Sequence, residues 1–170
     1  MASRRIEDLD PIARSRFQAW LADCDKAGID VLVYCTYRSG AEQDELYKVG
    51  RTVKGTGVTS KKPMGSTVTN ARAGQSLHQY RVAIDCVPLW RGKAMWSGDL
   101  PSTPQDDKLY ERMAAMAAKH GIEWAGNWKT FKEKAHFQYT GGLSLKDFQS
   151  GKRLADAVQK ETTFENVWPA

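Results

Sequence analysis

VAIDCV, Val82 to Val87, decides how this chain folds and where its chemistry lies. Five of its six residues are apolar and Pro88 follows, which reads as a buried strand ended by the proline. The sixth residue is Asp85. A carboxylate amid apolar neighbours is costly unless it is paired, hydrogen-bonded or bound to a metal, so the strand marks both the core and a candidate site.

Outward from that strand, the pattern alternates elements. VLVYCTY, Val31 to Tyr37, is a second β-rich run and reads as another buried strand. Ser39 followed by Glu42 forms a capping box, which predicts a helix from Gly40 to about Val49, stopped at Gly50. Further upstream, Asp10 as N-cap, Pro11 at the first helical position and Gly28 past the end bracket a helix with Ile12, Phe17, Trp20, Leu21 and Cys24 at helical spacing. Downstream, Trp90 and Trp96 lie in turn-rich sequence. Thr103 and Pro104 open a helix carrying Leu109, Met113, Met116 and Ala117, closed by Gly121. Ile122 to Trp124 and His136 to Tyr139 are strand candidates. Ser144 caps a short helix, and Leu154 to Val158 suggest another before a polar tail. Residues 51–75 have no usable periodicity and exceed the ~12 to 15 residues at which structureless loops become uncommon, which marks them as functional or mobile. There is no internal repeat.

The chain of 170 residues fits one domain, assigned here to residues 1–150, with 151–170 as its C-terminal helix and polar tail. An apolar fraction of 41% with 14 glycines excludes disorder as the main state. A chain of this size buries enough surface to fold without disulfides or a structural metal, so a metal here would be functional. Cys24, Cys35 and Cys86 form no C-x-x-C pair and are odd in number, which reads as three reduced thiols. Each sits among apolar neighbours, a poor setting for a nucleophile. No run reaches the ~18 apolar residues of a membrane span. The opening residues lack the apolar stretch and cleavage site of a secretory signal, so synthesis in the cytoplasm is expected. With 25 basic and 20 acidic residues the net charge is +5. That surplus favours polyanions in general, nucleic acid, anionic lipid or bacterial wall, and does not choose among them.

Histidine occurs three times, as His78, His120 and His136. His120 precedes a helix stop, where a cation suits the dipole, and reads as structural. His78, Asp85 and His136 together offer the three protein ligands of a catalytic zinc with one open position; the alternative is that Asp85 merely accepts backbone or arginine hydrogen bonds. Such a site needs a general base and a group for the oxyanion. Glu133, three residues before His136, suits the first role or belongs to a solvated charged face, Lys129 to Lys134. Arg38, ending the first strand, suits the second or pairs with Asp44 or Glu42. No H-E-x-x-H helix is present, which excludes a zincin.

These residues carry a resemblance. TNARAGQSLHQYRVAID, Thr69 to Asp85, resembles the S-x-H then A-x-D zinc motif of the VanY-type peptidoglycan metallopeptidases, in the lysostaphin, D-Ala-D-Ala peptidase and hedgehog fold group. EWAGNWKTFKEKAHFQ, Glu123 to Gln138, is similar to the second half-motif of that family's phage L-alanyl-D-glutamate endopeptidases, and CTYRSGAEQDELY, Cys35 to Tyr47, resembles the family's Y-R-S helix start. The resemblance implies one zinc per chain on His78, Asp85 and His136. It implies Glu133 as the catalytic acid-base, Arg38 as the residue holding substrate and transition-state charge, and Ser76 as a brace of the site in contact with substrate. It also implies a small α+β domain, an antiparallel sheet bearing the zinc site with helices on its other face. The expected function is cleavage of the L-alanyl-D-glutamate bond of the peptidoglycan stem by a monomeric phage lysis enzyme, an endolysin, with no nucleic-acid or membrane partner. The alternatives are a D-alanyl-D-alanine carboxypeptidase and, from another class, a zinc-containing wall-binding module. Glu133 and Ala135 stand where the phage enzymes show Asp and Pro, Arg81 where Gly is common, and Ala73 where Pro is.

Overall fold

Asp10 accepts the backbone N–H of Ile12 at 2.9 Å and so starts helix α1, Pro11–Lys26, at the expected cap. In the computed structural model, which describes residues 1–96 and 104–157, the remaining elements follow in the order read from the sequence. They are strand β1 (Asp30–Cys35), helix α2 (Gly40–Lys48), strands β2 (Ala83–Trp90) and β3 (Lys93–Ala94), helix α3 (Pro104–Lys119), strands β4 (Glu123–Trp124) and β5 (His136–Gln138), and helix α4 (Leu145–Gln149). The strands form one antiparallel sheet in the order β1-β2-β5-β4, with β3 hairpinned onto the end of β2. The fold is the expected α+β arrangement.

Period decides which face each residue serves. Ala13, Phe17, Trp20 and Cys24 on α1, and Leu109, Tyr110, Met113 and Ala117 on α3, are buried together against Ile84 and Cys86 of β2 and Phe137 of β5. Strand side chains alternate, so the neighbours Asp85, His136 and Gln138 point to the opposite face. Trp20 ties the layers together: its indole N–H donates to the Met113 carbonyl at 2.9 Å and its ring lies 4.5 Å from that of Phe137. Trp20→Ala should therefore cost about 3 to 5 kcal/mol in urea unfolding, the cost of a large cavity; a loss under about 1 kcal/mol would contradict this account of the core.

Two expectations are corrected. Val31 to Tyr37 is not a fully buried strand: among the described residues β1 pairs only with β2, ends at Cys35, and leaves Leu32 43% exposed, because it forms an edge of the sheet. Nor does Pro88 end β2. Its carbonyl accepts from Met95 N at 3.0 Å, so its missing N–H faces the same side, where β5 is paired only as far as Asp85, and the ladder to β1 loses nothing. Thr103 and Val158 lie outside the described residues, as does the tail to residue 170, while residues 154–157 are helical.

The 51–75 segment has little regular structure, yet it is fastened. Arg51 donates to the carbonyls of Tyr47 and Thr69 at 2.6 and 3.0 Å and its guanidinium lies 3.8 Å from the Tyr47 ring centre. Gly50, at φ +76°, is required there, since a Cβ would meet the Ser66 backbone at 2.6 Å.

Candidate active site

Register assembles the site. Asp85 on β2 is paired directly with His136 on β5 and with Cys35 across the bulge of β1, so three strands deliver three neighbouring side chains. His78 comes from the 3-10 turn Leu77–Tyr80 just ahead of β2. Its Nε2 lies 3.2 Å from Asp85 Oδ1, and His136 Nδ1 lies 3.2 Å from the same oxygen. The three residues named from the sequence thus meet at one point, on the sheet face away from α1 and α3.

Each imidazole is oriented by its other nitrogen. His78 Nδ1 is 3.1 Å from the Thr36 carbonyl, which can only accept, so Nδ1 carries the proton and Nε2 turns to Asp85. His136 Nε2 is 3.2 Å from Gln138 Oε1. A neutral His136 cannot donate to both Gln138 and Asp85; one contact must oppose lone pair to lone pair unless a proton or a cation intervenes. Two imidazole nitrogens and a carboxylate facing one another are what a divalent cation of zinc's preferences requires, so the donor set fits such an ion. Without it the pair is ionic. Burial works against charge on His78, but the Asp85 carboxylate and its hydrogen bond outweigh it and push His78 up to about 10. Burial likewise opposes the Asp85 charge, yet the two histidines hold its carboxyl well below the usual range.

Arg38 approaches from the other side, with Nη2 3.6 Å from Asp85 Oδ2 and 3.2 Å from Cys35 Sγ, and Nη1 donating to Gln43 Oε1 at 3.0 Å. It pairs with neither alternative: Glu42 closes the capping box of α2 with Ser39, and Asp44 accepts from Ala73 N. Its Nε is buried without a hydrogen-bond partner among the described residues. Ser76 opens the turn that carries His78 and is 9% exposed; its N–H reaches Gln79 Oε1 at 3.5 Å. Glu133 is exposed and close in sequence to the cluster, its carbonyl accepting from His136 N at 3.2 Å. Arg38, Ser76, His78, Asp85, Glu133 and His136 line one open groove of about 830 Å³, together with Tyr34, Trp96 and Trp128. His120 stays outside it, bonded to Asp23 of α1 at 2.7 Å.

Cys35 departs from the apolar setting expected of it. Besides Arg38 it lies 3.6 Å from His78 Nδ1, and Cys35, His78 and Asp85 offer donor atoms within 4.8 Å of one another. The thiol is on the side of the His78 ring already used by Thr36, and it receives the Arg38 guanidinium, so His136 is the better third donor. Cys24 and Cys86 are buried, and burial drives both thiols up, Cys24 to about 11. Sequence reasoning missed Thr36, Gln43, Glu123 and Gln138. For Gln138 the signal was present, since it stands two residues after His136 and shares its strand face.

A family profile described as D-alanyl-D-alanine carboxypeptidase matches residues 69–139, the stretch from the segment before His78 to the residue after Gln138. The peptidoglycan L-alanyl-D-glutamate endopeptidase CwlK of Bacillus subtilis is 36% identical over 132 residues, 77% of this chain and 73% of its own. Among solved structures, the Serratia marcescens L-Ala D-Glu endopeptidase ChiX is similar at 21% identity and a TM-score of 0.54, over 88% of this chain and 92% of ChiX. The VanY D,D-pentapeptidase of a VanB-type vancomycin resistance cassette, solved with Zn(II), is 19% identical at a TM-score of 0.55, over 88% of this chain and 83% of its own. These two likenesses concern the fold, whereas the CwlK match is one of sequence over most of both chains. No helix of the described residues is long and apolar enough to cross a membrane. The CwlK match, at 36% identity over most of both chains, together with a profile match over the segment that contains His78, Asp85 and His136, places the chain in the M15 family of peptidoglycan metallopeptidases.

Proposed function

We propose that the chain is a zinc-dependent L-alanyl-D-glutamate endopeptidase of the peptidoglycan stem peptide, holding one zinc on His78, Asp85 and His136. The observation that carries this reading is the convergence of two imidazole nitrogens on one carboxylate oxygen, both at 3.2 Å, in the wall of an open groove. Zinc held there supplies Lewis acidity for the scissile carbonyl and acidifies water. The protein's own part is to place proton acceptor and positive charge around that point. Glu133 takes the proton of the attacking water and returns it to the leaving amine. Arg38, pinned by Gln43 and Asp85, presents its guanidinium to the oxyanion. Ser76 lines the groove where the stem peptide lies against the His78 turn. The similarity of Glu123 to Gln138 to the phage enzymes supports a role as a lysis enzyme, an endolysin, that meets the wall after release from the host cytoplasm.

The bond is assigned from CwlK, whose match covers most of the chain. A second reading, D-alanyl-D-alanine carboxypeptidase, is favoured by the description of the matching profile and by Glu133 in place of Asp. Incubation with a disaccharide pentapeptide separates them by mass spectrometry. The endopeptidase exposes a new N-terminus at D-glutamate, whereas release of D-alanine alone would transfer the chain to the carboxypeptidases and leave the metal site untouched.

A further inference from the structure

Beyond the ligands, the sheet carries a second row of polar side chains. Gln138, 8% exposed, is two residues after His136 on β5 and pairs across the sheet with Glu123 of β4. Its Nε2 donates to Glu123 Oε2 at 2.9 Å, and Glu123 Oε1 receives the Trp128 indole N–H at 2.6 Å. His136 Nε2 completes the row at 3.2 Å from Gln138 Oε1.

We infer that Trp128, Glu123 and Gln138 form a relay that fixes the proton of His136 on Nε2 and so keeps its Nδ1 lone pair free for the metal. The argument rests on donor and acceptor inventory. An indole N–H can only donate, so it takes one carboxylate oxygen of Glu123. A carboxylate only accepts, so the other oxygen turns the Gln138 amide until its NH₂ faces Glu123. The Gln138 carbonyl is then left toward His136, and a carbonyl accepts, so the Nε2 of His136 must carry the hydrogen. Every member has one allowed orientation, set from the surface inward. The usual outer partner of a ligand histidine is a carboxylate or a carbonyl in direct contact; here the carboxylate acts through an intervening amide. Glu123 and Gln138 are positioning residues, since neither lies within the donor set itself.

This rests on the assignment of His136 as a ligand, and the tests separate the two. Zinc affinity is measured by chelator competition on the whole chain, and the His136 Nε2 proton is followed by ¹⁵N-edited NMR of the zinc-loaded protein. Gln138→Leu should weaken zinc by about 10- to 100-fold, the usual effect of losing such a partner, and shift the Nε2 proton signal. Glu123→Gln is the sharper variant because it removes no atoms and, Glu123 being exposed, spares the core. Its new NH₂ either opposes the Trp128 N–H or turns the Gln138 amide around, presenting a donor to His136 and driving the proton to Nδ1. Glu123→Ala leaves Gln138 free to keep its carbonyl on His136. The relay therefore ranks the zinc loss of Glu123→Gln above that of Glu123→Ala, whereas a merely structural Glu123 gives the reverse order. Wild-type affinity in both Gln138→Leu and Glu123→Gln, a reversed order at position 123, or zinc loss with an unmoved Nε2 signal overturns the relay alone. A wild-type chain that takes up no zinc overturns the ligand set and the relay with it.

Discussion

Replacing Glu133 by alanine should leave zinc content and fold unchanged and slow peptide cleavage by about 100- to 10,000-fold, the range that general-base assistance supplies. The structural half of this expectation follows from where Glu133 is held. Its N–H donates to the Ala125 carbonyl at 3.3 Å and its carbonyl accepts from His136 N, so the backbone keeps its turn without the side chain. The carboxylate is exposed and makes no hydrogen bond or ion pair with the described residues, so truncating it breaks no packing. Glu133→Asp should retain more activity than Glu133→Ala, because the acid survives with a shorter reach. Stem-peptide turnover read by chromatography decides the matter: a wild-type rate in Glu133→Ala would return Glu133 to the solvated charged face and send the search for the proton acceptor elsewhere.

Combining His78→Ala with His136→Ala should reduce zinc, measured by elemental analysis, from one ion per chain to background, and should abolish cleavage. The loss removes several kcal/mol of charge stabilisation together with the acidified water, which puts the residual rate at least about 1,000-fold down. The double change is needed because of Cys35. With His136 alone removed, Cys35, His78 and Asp85 still offer three donor atoms within 4.8 Å, enough to hold a displaced ion. Zinc at full occupancy in the double variant would end the ligand assignment.

What the sequence revealed of this site and what it hid divide along physical lines. His78, Asp85 and His136 were legible because an acid inside an apolar strand demands a partner, and histidine is scarce enough that the partners could be enumerated. The helices were legible through caps: Asp10, Ser39 and Ser144 all accept the backbone bonds that their types predict. The lateral order of the strands was not legible. Val31 to Tyr37 has the composition of a buried strand, and only pairing with β2 alone makes it an edge. Pro88 misled for the same reason, since the side that its missing N–H faces depends on strand order, and here that is the side away from β1, whose ladder continues to Leu89. Cys35 was misread because the strand bulge between Val33 and Cys35 sets its register against Asp85, and a bulge leaves no mark on composition. Gln138 and Glu123 were hidden by chemistry of their own: amides and surface acids are common, and they acquire meaning only when cross-strand pairing aligns them with a ligand.

The residues ahead of α1 are bonded to the end of β1 and to the turn after His78. Ser3 exchanges backbone hydrogen bonds with Thr36 and Tyr37, and the Thr36 hydroxyl donates to the Arg5 carbonyl at 2.9 Å. Thr36 is the residue whose carbonyl orients His78. Arg81, three residues beyond His78 and in the left-handed conformation at φ 64°, donates to the Asp8 carbonyl at 2.6 Å and lies 4.0 Å over the Tyr37 ring. A glycine would adopt that backbone without strain but would have no guanidinium to send to Asp8. The arginine at this joint and the segment from Ser3 to Asp8 thus act as one mechanical unit. Replacing the one or trimming the other would loosen the frame that aims His78, which is held from the N-terminal end of α1.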